Sequence, residues 1–210
     1  MVTPPCASPA LLRTLVTPSG RMLDHFRFVA PVYDRLFASQ QPDRLRSLLE
    51  LPVAGWILDV GGGTGRVAQA LRGLADEVVV VDESAAMLQQ ARLKGLPAVR
   101  GQAESLPFPD GAFARILVVD AFHHLKDQQQ AAVELLRVLA PSGRLVIEEP
   151  NVERASIRLL ALAEKLVLMR SHFHSPSAVQ QIFEAAGGNV RLVRQGTSFW
   201  AVVEKAPPLP

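Results

Sequence analysis

Cysteine is almost missing from this chain: Cys6 is the single thiol in 210 residues. One cysteine excludes an intrachain disulfide and a thiolate metal cluster, and the scarcity suits a reducing, cytoplasmic setting. Strong charge of one sign is also missing, since 22 Lys and Arg face 20 Asp and Glu for a net charge of +2. Without a Lys/Arg block there is no electrostatic footprint for nucleic acid, so no nucleic-acid partner is expected. No apolar run approaches the ~20 residues that a membrane-spanning helix needs. Pro4, Pro5 and Pro9 break up the early apolar residues with no basic stretch before them, which does not read as an export signal. No internal repeat is visible.

What is there belongs to a globular protein: 49% hydrophobic and 20% charged residues in a length that suits one full-sized core. Residues 1–20 read as a disordered leader, Ala206–Pro210 as a disordered tail, and 21–205 as a single domain. Between the ends, short runs rich in Val, Ile and Leu alternate with helical patterns. The strand candidates are Trp56–Val60, Glu77–Asp82, Ala98–Arg100, Ala114–Asp120 and Arg144–Glu148. Arg66–Leu74, Ser84–Leu93, Asp127–Leu139 and Pro176–Ala186 read as helices, with Ser84, Asp127 and Ser175 as N-caps. Such alternation predicts a parallel, doubly wound sheet covered on both faces. The alternation ends with Val190–Arg194 and Ser198–Glu204, joined by Gln195-Gly196-Thr197, which predicts a closing antiparallel hairpin.

The densest signal is Ile57-Leu58-Asp59-Val60-Gly61-Gly62-Gly63-Thr64-Gly65, an apolar run ending in an acid and a glycine cluster. Glycines directly after a strand allow a sharp turn and let a ligand approach main-chain N–H groups. Asp82 closes Val78-Val79-Val80-Val81, where a nucleotide-binding fold places an acid for ribose hydroxyls. A nicotinamide site wants G-x-G-x-x-G, whereas the third glycine here arrives one residue early, at Gly65. Read alone, Asp59 equally suits a polar residue that merely satisfies loop amides.

Four further blocks follow in order: Val81-Asp82-Glu83-Ser84-Ala85-Ala86-Met87-Leu88, Gly101-Gln102-Ala103-Glu104-Ser105-Leu106-Pro107-Phe108, Ala121-Phe122-His123-His124-Leu125, and Leu139-Ala140-Pro141-Ser142-Gly143. With Leu58–Gly65 before them, they make the chain resemble the class I S-adenosylmethionine-dependent methyltransferases, in particular the group that includes the ubiquinone and menaquinone C-methyltransferases. The resemblance covers 57–149 and extends to Ala30-Pro31-Val32-Tyr33-Asp34, similar to an element that folds over the cofactor in such enzymes. It implies a Rossmann-like α/β fold with a mostly parallel seven-stranded sheet of order 3-2-1-4-5-7-6. Residues 21–50 would form an N-terminal helical cap and 151–174 a lid-like insertion.

The resemblance also implies roles. The cofactor set is Tyr33, Asp59, Gly61, Gly62, Gly63, Gly65, Asp82, Glu83, Met87, Gln102, Ala103, Glu104, Asp120 and His123. Among these, the glycine turn and the start of the next helix would meet the methionine carboxylate, and Asp59 its amino group. Asp82 would take the ribose hydroxyls, and Gln102 and the Ala103 main chain the adenine. Two positions depart from the group: Gln102 stands where Asp is common, and Glu83 where an apolar residue often packs on adenine. Met87 and Leu88 also suit a helix core, and Pro141-Ser142-Gly143 suits a turn.

His123, with Tyr33 beside it, is the catalytic candidate, because histidine titrates near neutrality and can take a proton as the methyl moves. A loop-capping role for His123 or His124 is the competing reading. His172 and His174 bring the histidines to four, yet no carboxylate joins them at ligand spacing, so no metal is expected. The apolar stretch 157–170, edged by Arg158, Lys165 and Arg170, suits a lid over a hydrophobic or quinone-like acceptor, a core or dimer helix, or a helix lying on a membrane surface. Monomer and homodimer both remain open. The expected activity is methyl transfer to a small molecule. A non-catalytic S-adenosylmethionine-binding protein and a nicotinamide-dependent oxidoreductase are the alternatives.

Overall fold

A computed structural model describes residues 42–151 and 174–205. The leader, Tyr33, most of the expected cap, His172, the 157–170 stretch and the tail lie outside the described residues. The chain runs α1 (Pro42–Leu49), β1 (Trp56–Val60), α2 (Arg66–Ala70), β2 (Glu77–Asp82), α3 (Ala85–Leu93), β3 (Ala98–Arg100) and β4 (Phe113–Val119). A 3₁₀ turn (Phe122–His124), α4 (Gln128–Val138), β5 (Leu139–Pro150), α5 (Pro176–Ala185), β6 (Gly188–Gln195) and β7 (Ser198–Lys205) follow. Among the described residues no helix is long and apolar enough to cross a membrane.

The seven strands form one sheet of order β3-β2-β1-β4-β5-β7-β6. Strands β1 to β5 pair in parallel, and β7 is antiparallel to both β5 and β6. The continuous apolar runs are explained by burial on both faces. Along β2, Val79 and Val81 enter one core with Leu58, Ile116 and Phe183, while Val78 and Val80 enter the other with Leu45, Leu88 and Trp200. Helices α1, α2 and α3 therefore cover one face, and α4 and α5 the other. The strand order reverses between β1 and β4, and their carboxyl ends open a crevice there.

Ser84, Asp127 and Ser175 do cap their helices, each accepting a main-chain N–H three residues on, from Met87, Gln130 and Ala178. The hairpin closes on two residues, with Gln195 paired to Ser198 and Gly196 at φ 59°.

Several boundaries differ from the sequence reading by a residue or more, and three of the differences have a backbone cause. Helix α2 stops at Ala70 instead of Leu74, because the chain leaves helical geometry ahead of Gly73 at φ 77°. Strand β4 ends at Val119, and Asp120 adopts φ 51° beyond it. Pro141-Ser142-Gly143 is absorbed into β5 as an irregularity: Phe113 pairs with Leu139 but Arg115 with Arg144, and Ser142 sits at φ 59° in the excess length.

Candidate functional site

The carboxyl ends of β1, β2 and β4 enclose a cavity of about 350 Å³. Its wall includes Asp59, Gly61, Gly62, Gly63, Asp82, Glu83, Met87, Ala103 and Asp120 from the expected set.

The glycine turn is held by its neighbours. Gly61 N–H donates to Val81 O at 2.8 Å, and Gly63 N–H donates to Asp82 Oδ2 at 2.9 Å. The other Asp82 oxygen accepts from Ser84 N–H at 2.8 Å. Asp82 thus ties the turn to the end of β2. Glycine is required where the turn folds back: a Cβ at Gly62 would stand 2.5 Å from the Asp59 carboxyl carbon. At Gly65, φ is 71° and a Cβ would stand 2.4 Å from Leu96 Cδ1. Gly65 therefore packs the start of α2 against the next βα unit, which explains the early third glycine.

Asp59 is 1% exposed, and its Oδ2 has no hydrogen-bond partner among the described residues. Burial raises its carboxyl to about 7, Asp82 adds to the rise, and an Ala68 main-chain hydrogen bond and Arg66 oppose it. Glu148 is a second acid of this kind at the end of β5: it is 6% exposed, its Oε2 has no hydrogen-bond partner among the described residues, and burial followed by Asp120 raises it to about 7.

Several residues outside the expected cofactor set also line the cavity: Arg66, Ser84, Arg100, His124 and Lys126. Arg66 directly follows the glycine turn, and that adjacency was the available signal. Lys126 had no local signal. Its Nζ meets Glu83 Oε1 at 3.1 Å and Oε2 at 3.2 Å, tying the segment after the 3₁₀ turn to the end of β2. Glu83 is thereby an ion-pair partner at the rim.

Four described residues of the expected set stand apart from the wall: Gly65, which packs on Leu96, and Gln102, Glu104 and His123. Gln102 forms an isolated bridge with Ser105. Glu104 Oε1 accepts from the main-chain N–H groups of Lys126 at 2.9 Å and Asp127 at 3.2 Å. His123 is 4% exposed and its Nδ1 lies 2.6 Å from Glu149 Oε2, whereas His124 lines the cavity. The pair of histidines is thus split, one to the interior and one to the cavity. His174 contacts Gln128 Oε1, and Gln128 Nε2 in turn donates to Phe122 O at 2.9 Å.

The family model described as a methyltransferase domain matches residues 58–147. The demethylmenaquinone methyltransferase of Thermus thermophilus is 44% identical over 101 residues, covering 44% of this chain and 46% of the relative. The ubiquinone/menaquinone biosynthesis C-methyltransferase of Laribacter hongkongensis is 31% identical over 174 residues, covering 71% of each. The chain spans less than half the length of the Thermus relative. Among solved structures, the YcgJ protein of Bacillus subtilis matches with a TM-score of 0.64 at 27% identity, covering 73% of this chain and 70% of that one.

Proposed function

We propose that this chain, which belongs to the class I S-adenosylmethionine-dependent methyltransferases, holds S-adenosylmethionine in the cavity at the carboxyl ends of β1, β2 and β4 and methylates a small hydroquinone-like acceptor. The observation that carries the reading is Asp59, a carboxylate held at the cavity wall with an unpartnered oxygen and a value raised to about 7. Such a group fits a ligand that brings its own cation, because an ammonium restores the charged form that burial disfavours.

The rest of the wall fits the same cofactor. Asp82 lines the cavity at the end of β2 and would offer ribose hydroxyls a charged acceptor of strong hydrogen bonds. Arg66 offers a guanidinium to a carboxylate in place of the helix terminus expected at α2, which is only five residues long. Met87 and Ala103 supply apolar wall for a purine. When bound, S-adenosylmethionine supplies a methyl group on a positively charged sulfur that leaves readily. What remains for the chain is to align the acceptor, exclude water and handle one proton.

Two features support the acceptor class: the names carried by the Thermus and Laribacter relatives, and the minor demand that methyl transfer to an activated ring makes on the protein. Family membership removes the nicotinamide alternative.

Titration calorimetry with S-adenosylmethionine, S-adenosylhomocysteine and NAD tests the cofactor. Micromolar binding of the first two is expected, and binding of NAD alone would overturn the reading. Transfer of label from [methyl-³H]S-adenosylmethionine to a reduced short-chain demethylmenaquinone tests the acceptor. Cofactor binding with no transfer would leave the non-catalytic alternative standing.

A further inference from the structure

The turn after β4 carries two adjacent histidines whose surroundings have little in common. His123 points into the core, where the Glu149 carboxylate accepts, so Nδ1 of His123 carries the hydrogen. The other Glu149 oxygen accepts from Phe122 N–H at 2.8 Å, and Gln128 Nε2 donates to Phe122 O at 2.9 Å. Buried side chains from β5 and α4 thus pin this one turn of chain on both of its polar edges. His124 completes the turn at the cavity wall, its ring centroid 4.0 Å from that of His123 and inclined by 48°. Among the described residues its ring nitrogens have no hydrogen-bond partner.

We propose that His124 is the side chain that meets the methyl acceptor and takes the hydrogen of its hydroxyl group, and that the buried Glu149–His123 pair is the positioning element that holds it there. The assignment rests on the methyl-transfer reading of the cavity. During transfer the acceptor–methyl bond forms as the sulfur–methyl bond breaks, and the electron pair of the broken bond stays on sulfur. The acceptor loses one proton, which His124 accepts from the hydroxyl and passes to solvent. For a ring-carbon acceptor the C–H hydrogen returns to oxygen on rearomatisation, so the balance is the same.

Burial first, and the charge of His123 second, lower His124 to about 4, so its ring is uncharged at neutral pH and offers a lone pair. The charged groups sharing the wall with it are Asp59 and Arg66 of the glycine turn, Asp82, Glu83 and Arg100 at the ends of β2 and β3, and Asp120 and Lys126 around the histidine turn. His123 lies 26 residues from Glu149 in sequence. The pairing is a product of the sheet, since β4 and β5 are neighbours.

The test combines three readings on the full chain: transfer of label to a reduced short-chain demethylmenaquinone, calorimetry with S-adenosylhomocysteine, and NMR titration with ¹⁵N-histidine. His124→Ala should lower transfer by about 100-fold, within the range for loss of a positioned acid or base. His124→Gln should recover part of it, because an amide oxygen still accepts a hydrogen bond from the hydroxyl and orients it, while the proton leaves to solvent. Glu149→Gln should lower transfer by about 10-fold and move the His124 titration midpoint, as His123 loses the carboxylate that orients it beside His124. If Glu149→Gln does not fold, His123→Asn removes the ring beside His124 while keeping a donor toward Glu149.

Transfer by His124→Ala within about threefold of wild type would overturn the acceptor contact. An unmoved His124 midpoint in Glu149→Gln would overturn the positioning role, since a merely structural pair would not shift it. Wild type that fails to bind S-adenosylhomocysteine overturns the cofactor reading. Wild type that binds it yet leaves the hydroquinone unmethylated overturns the part given to His124 as well, because that part is defined for a hydroxyl-bearing acceptor.

Discussion

Replacing Asp59 by Asn should make the protein more stable and a poorer binder, with the gain in stability confined to neutral and alkaline pH. Burial raises the carboxyl from an unfolded value of about 3.9 to about 7. A raised folded value means that the fold prefers the protonated acid. Stability is therefore fully present below about pH 4 and lost as pH rises through 7. Each pKa unit corresponds to about 1.4 kcal/mol, so ionisable Asp59 should penalise the wild type by about 1 kcal/mol at pH 4.5 and about 4 kcal/mol at pH 7.5, relative to a neutral isostere. The amide adds its own desolvation cost, but that term is independent of pH. The diagnostic is the change between the two pH values, about 3 kcal/mol in favour of Asn. Urea unfolding of both proteins at pH 4.5 and 7.5 measures it. Loss of a charge-assisted contact of about 1.5–3 kcal/mol should weaken S-adenosylhomocysteine binding roughly 10- to 100-fold. A stability difference that is the same at both pH values would refute the reasoning. It would mean that the fold leaves the Asp59 carboxyl at its ordinary value, so that a bound ammonium would restore no charge that burial disfavours.

Lys126→Gln breaks a partly exposed ion pair with Glu83 at the cavity rim, so S-adenosylhomocysteine affinity should fall about two- to fivefold at low salt. Calorimetry in 1 M salt should find the two proteins equal, and a gap that survives salt would show that Lys126 acts by another route. Gly65→Ala demands φ 71° of an alanine and sets its Cβ 2.4 Å from Leu96 Cδ1; a loss of about 2 kcal/mol is expected, and an unshifted urea midpoint would contradict it. Ser175→Ala removes the side-chain acceptor of Ala178 N–H at the start of α5. About 1 kcal/mol should be lost, read as an earlier thermal transition in circular dichroism with the cavity's ligand affinity unchanged.

The family-defining parts of the chain were legible before any coordinates, and for local reasons. A strand buried on both faces needs an unbroken apolar run, and Val78–Val81 is one. A sharp strand-to-helix turn with side chains pressed against it needs glycine, and Gly62 and Gly65 show the contacts that enforce this. Caps at Ser84, Asp127 and Ser175 depend on a residue and the amide three positions on, so they too are written in the chain. The reach of α2 was misjudged because its continuation to Leu74 kept an apolar pattern after the backbone had already turned.

By itself, then, the sequence determined the alternation of strands and helices, the glycine turn, the acids that close β1 and β2, and the family. Tertiary structure alone decided which of two identical neighbours, His123 or His124, reaches the cavity. It also joined Lys126 to Glu83 across 43 positions and left Asp59 with an unpartnered oxygen. Periodicity and caps are set by residues a few positions apart. A histidine's direction after the end of a strand is set by a carboxylate on the next strand, and no pattern within one segment records that.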